Sequence, residues 1–155
     1  MKNGKSRYAG PARLIAARAD QFLAQNASTT VDIEKGDVVY FSGIYADAQL
    51  QIARCVDGAG GIEETMPAAV ALHKIPAGGS FEGRVAKWGV FDLDTSSSSV
   101  GAPVYMVDSL SAGSANVTLT APAGSPVQVG YVLRVGNLAP NEADGGKILI
   151  YPTLV

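Results

Sequence analysis

The chain holds few side chains that could do chemistry. His73 is the only histidine and Cys55 the only cysteine. One histidine cannot build a two-histidine metal site, and neither a carboxylate nor a cysteine stands at ligand spacing from it. Its place in AVALHKI reads as a packed or surface strand residue. Cys55 lies in IARCV. A catalytic thiol there would need His73 as its base in space, whereas an unreactive cysteine behaves as a small buried hydrophobe. The structural reading outranks the catalytic one.

The acids come in three close sets, Glu63-Glu64, Asp92/Asp94 and Glu142/Asp144. Asp92 and Asp94 stand two apart, so on a strand both would share one face. Acids held ~5–9 Å apart in a cleft hydrolyse glycosides, and a pair can hold a cation. FDLDTSSSS, however, runs straight into a serine loop, where solvated acids are routine. DGAGG and PAGG fit neither of the phosphate-cradling glycine motifs, and there is no GxSxG elbow. Trp88, with Phe81 and Phe91 nearby, reads as core or interface, because a sugar-binding strip wants several exposed aromatics.

Charge is what distinguishes one end of the chain. Residues 1–20 carry Lys2, Lys5, Arg7, Arg13 and Arg18 against Asp20 alone. The remainder has seven bases and thirteen acids, for a net −2 overall. That balance argues against a nucleic-acid binder. The basic arm, with Tyr8 and Phe22 as apolar anchors, could dock on an acidic surface and order as it binds. A frayed, solvated terminus is the simpler alternative.

The elements that must position these residues read as strands. A chain of 155 residues is the size of one domain. Charged residues make up 17% and there are 18 glycines, a turn-rich globular composition. One cysteine excludes an intrachain disulfide. No apolar run is long enough for a membrane helix, and no apolar core follows the basic N-terminus as in a secretory signal, so production in a cytosol is expected. ARLIAARADQFLAQ has a partial helical spacing, which allows a short helix from Ala12 to Ala24. From Thr29 the period becomes two. QLQIARCV puts Leu50 and Ile52 inward, and Gln51 and Arg54 outward. Residues 81–93 make one bent strand or two short ones, with Gly83 and Gly89 as candidate bulges. Eight to ten short strands with turns every 8–12 residues predict an all-β sandwich or barrel. A parallel α/β fold would need helices that are missing.

Four pieces recur in a telling order: Gly36-Asp37-Val38-Val39, Gly89-Val90-Phe91-Asp92-Leu93, Gly101-Ala102-Pro103-Val104-Tyr105 and Val129-Gly130-Tyr131-Val132-Leu133. Across residues 29–151 this order resembles the capsid decoration (cement) proteins of tailed bacteriophages. Ala102-Pro103 departs from the acidic or polar turn common there, and the acidic 57–66 loop is long. The resemblance implies a single small β-barrel of the β-tulip kind. It implies a homotrimer on the outside of the mature head that clamps major capsid protein subunits, with neighbouring trimers as possible further contacts.

The resulting expectation is an arm at 1–28 and a barrel domain at 29–155. The arm residues Lys2, Lys5, Arg7, Tyr8, Arg13, Arg18 and Phe22 would face the capsid or a neighbour. Trp88 and Tyr105 are expected at the trimer seam. No catalytic residue, metal, cofactor, nucleic acid or membrane partner is expected. The alternatives are a small all-β hydrolase using Asp92/Asp94 or His73, and a carbohydrate- or cell-surface-binding module.

Overall fold

The computed structural model describes residues 21–44, 50–55, 67–78, 82–111, 113–138 and 145–153. Within them the protein is all-β, with ten strands and no helix. Five strands close a barrel in the order β1-β3-β2-β4-β5. They are β1 (Gln21–Asn26), β2 (Val38–Ile44), β3 (Leu50–Arg54), β4 (Ala69–Ala71) and β5 (Glu82–Ala86). The other five form a second sheet in the order β6-β10-β9-β7-β8. These are β6 (Gly89–Asp92), β7 (Pro103–Met106), β8 (Val117–Thr118), β9 (Gln128–Arg134) and β10 (Lys147–Ile150). The expectation of a barrel holds, and the chain adds to it a sheet that a lone barrel would not have.

Alternation explains both layers. Ala24, Ile33, Val39, Ile52, Ala69, Ala71, Ile75 and Val85 fill the barrel, with Phe22 and Leu50 packed against them. In β2 the neighbouring Val38 turns the other way, as successive strand residues must. It joins Cys55 and Val70 in a second core with Phe91, Val104, Met106, Val132 and Ile148 of the second sheet. The barrel wall is therefore apolar on both faces, and its outer face is the floor of the sheet.

The N-terminal boundary moves. Residues 21–24, placed above at the end of a helix and inside an arm, belong to β1, which pairs with β5 from Gln21↔Ala86 to Gln25↔Glu82 and runs parallel to β3. Without this strand β3 and β5 would be left with open edges, and closing them outweighs a partial helical spacing. Residues 1–20, with the rest of the 12–20 segment, lie outside the described residues.

Residues 81–93 resolve into β5 and β6 with a turn at Lys87-Trp88. Gly83 is not a bulge; it pairs in register with Ala24. A Cβ there would stand 2.2 Å from Ile75 Cγ1, so glycine is present for space. The irregularities fall instead at Phe41/Gly43, Val104/Tyr105 and Lys147/Ile148.

Candidate functional site

The residues singled out for chemistry are each held by a different neighbour. His73, exposed beside β4, accepts the Arg84 N–H at Nε2 (2.9 Å), and its Nδ1 lies 2.9 Å from Lys74 O. That pair of contacts suits the neutral ring with its proton on Nδ1. Cys55 is buried in the shared core. Asp92 forms an ion pair with Lys147, its partner across β6 and β10. Asp94 instead accepts the Ser96 hydroxyl (2.7 Å) and N–H (3.0 Å), and these bonds hold its carboxyl below the usual range. The two acids thus serve different structures, a ladder and a turn. Glu63, Glu64, Glu142 and Asp144 lie outside the described residues. Among the described residues no cluster of three or more potential metal ligands occurs.

What the sequence reading missed is a buried polar hub. Arg54, expected outward, is 7% exposed and Asp37 is fully buried. Arg54 Nη2 donates to Asp37 Oδ1 (3.1 Å) and to Ser114 O (2.5 Å), while Nη1 donates to Ser111 O (3.3 Å). Nε stands 2.6 Å from Asp37 Oδ2 as an ion-pair contact, off the line of a hydrogen bond. Asp37 also accepts the Glu34 and Asn116 N–H groups. Burial pushes the Asp37 carboxyl above its ordinary range, against the pull of the Glu34 amide, Arg54 and the Asn116 amide.

Asn116 completes the hub. Its side chain accepts the Val38 N–H (2.7 Å) and donates to Val38 O and Cys55 O (both 2.7 Å). Strands β2 and β3 of the barrel are thereby bolted to the loop that leads into β8. Alternation cannot reveal this, because it places a residue on a face and says nothing of what covers that face. Outside the hub lies a groove of about 390 Å³. At its border Lys74 pairs with Asp32 (3.2 Å) and Glu34 (3.8 Å). The Ala77 N–H and then Lys74 hold the Asp32 carboxyl below its usual range.

Two apolar surfaces remain. On the outer face of the second sheet, Val90, Leu149, Tyr131 and Pro103 stand side by side across four strands. Tyr105 lies two residues along β7 on the same face, and exposed Trp88 precedes Val90 by two. At one end of the barrel stand Leu23, Phe41 and Ile44, 56%, 50% and 72% exposed. Phe22, the one arm residue within the described set, packs there with its ring 5.7 Å from that of Phe41. Lys2, Lys5, Arg7, Tyr8, Arg13 and Arg18 lie outside the described residues.

Comparison with protein-family models, curated proteins and solved structures finds no match to the chain.

Proposed function

We propose that the protein is a decoration protein, one that binds the outside of a mature phage head as a homotrimer and holds major capsid protein subunits together. The observation that supports this reading is where its four motifs fall. Gly36-Asp37-Val38-Val39 supplies the turn and the hub that bolts the second sheet to the barrel. The other three motifs are β6, the turn into β7, and β9, all in that one sheet. Motifs scattered through the sequence thus form a single structural unit, as a resemblance of folds requires. Gly36 and Gly101, both at φ 85°, make the turns that open the first and third motifs.

The mechanism is binding. Three copies of each contact in a trimer add through effective concentration. A ligand that binds only the expanded shell stabilises that shell by linkage. The row from Val90 to Pro103, bordered by Trp88 and Tyr105, offers the apolar strand face for a seam. The basic arm suits an acidic capsid surface.

Two measurements test this. Light scattering should give three chains per particle, and the protein should sediment with mature but not immature heads. Reversing Lys2, Lys5 and Arg7 to glutamate should weaken head binding without altering the trimer. Deletion tests of the arm should stop at residue 20, because β1 begins at Gln21. A monomer that ignores both kinds of head would overturn the proposal.

A further inference from the structure

The two ends of the barrel are finished differently. At one end Ile33 and Ile75 exchange backbone hydrogen bonds (3.0 and 2.8 Å), and both are fully buried. The Asn26 amide ties Val31 O and Ile75 O across the same end. That end is sealed. At the other, the apolar interior continues outward. Ile44 pairs with Leu50, and Phe41 with Ile52. Phe41 and Ile44 are at least half exposed, although their partners belong to or pack on the barrel core. An apolar lip of this kind is a surface that wants a cover.

The register shows which segment is nearest. Strand β1 runs parallel to β3 with Gln25 beside Gln51. Gln21 and Phe22 therefore extend past Leu50, level with the connection between β2 and β3. Residues 1–20 reach the barrel at its open end and not at its sealed one. A recess of about 260 Å³, lined by Gln21, Phe22, Leu23 and Arg84, opens where they enter. Leu14 and Ile15 are adjacent apolar residues seven or eight positions before Phe22. That separation is about 25 Å of extended chain, enough to turn back over the lip.

We propose that residues 12–20 cover the open end of their own barrel, with Leu14 and Ile15 seated on Phe41 and Ile44. The tip carrying Lys2, Lys5, Arg7 and Tyr8 is left to project. The arm then has an anchoring half and a reaching half. This cover needs no partner and no second copy, so it stands or falls apart from the phage-head reading.

Photo-crosslinking of the full chain tests it. Ile44→Cys is labelled with a benzophenone maleimide; Cys55, buried in the core, reacts slowly by comparison. The labelled protein is mixed with heavy-isotope protein, irradiated and mapped by mass spectrometry. The cross-links should join position 44 to residues 12–20 within one isotopic chain. Joins between light and heavy chains would show a second copy on the lip and overturn the proposal, as would joins only to other segments or none. A second measurement uses Leu14→Asp with Ile15→Asp. Binding of an apolar-surface dye should rise several-fold with the far-ultraviolet spectrum unchanged, and unaltered dye binding also overturns it.

Discussion

Asp37 and Arg54 are a buried ion pair with every carboxylate oxygen engaged. Such a pair adds little over an apolar replacement of both partners, but losing one partner strands a charge. Arg54→Met should therefore cost about 3–5 kcal/mol at neutral pH, read by urea unfolding. The deficit should shrink on acidification. The Asp37 carboxyl is already raised by burial, and removing its cation raises it further. A carboxyl whose folded pKa lies above its unfolded value of about 3.9 favours the fold when protonated. That contribution is complete below the unfolded value and is lost as pH rises through the folded one. The difference from wild type at about pH 5 should thus be smaller than at neutral pH; an equal difference would mean that Asp37 is not the stranded group. The sequence showed a Gly-Asp turn and a strand arginine. Nothing in their spacing told that loop 111–116 would close over both.

Among the elements, two glycines set limits of different kinds. At Gly83 the obstacle to a Cβ is the Ile75 side chain, at 2.2 Å. At Gly130 it is the carbonyl oxygen of Leu149 on the neighbouring strand, at 1.8 Å. A side chain can be trimmed and a backbone cannot. Gly83→Ala should cost about 1–3 kcal/mol, and nearly nothing once Ile75→Ala has made room, a coupling that a double-mutant cycle measures. Gly130→Ala should cost more than about 3 kcal/mol, and no substitution of the Leu149 side chain should restore it. The strands themselves were legible: the period of two and the turn residues marked nearly all of them. Strand β1 was not, because FLAQN carries only two inward apolar residues, and its strand state comes from closing a barrel with distant partners.

At the scale of the molecule, the barrel and the second sheet share one core, and Val38 and Val70 pack with Val104, Met106 and Ile148. They should unfold together. Met106→Ala, a change in the second sheet, should cost about 2–5 kcal/mol and speed hydrogen exchange equally in β3 and β9. Two separable transitions, or exchange raised in β9 alone, would count against a common core. The sequence could announce an all-β chain but not its division into two layers, since a strand apolar on both faces looks the same wherever its second face is covered. The sealed junction also leaves the segment from Ala121 to Pro126 on the outside. It joins β8 to β9 with mostly exposed residues, and a Cβ on Gly124 would meet nothing within 4 Å. A foreign peptide spliced there would ride clear of hub, seam and arm alike, which makes this turn a natural mounting point for cargo.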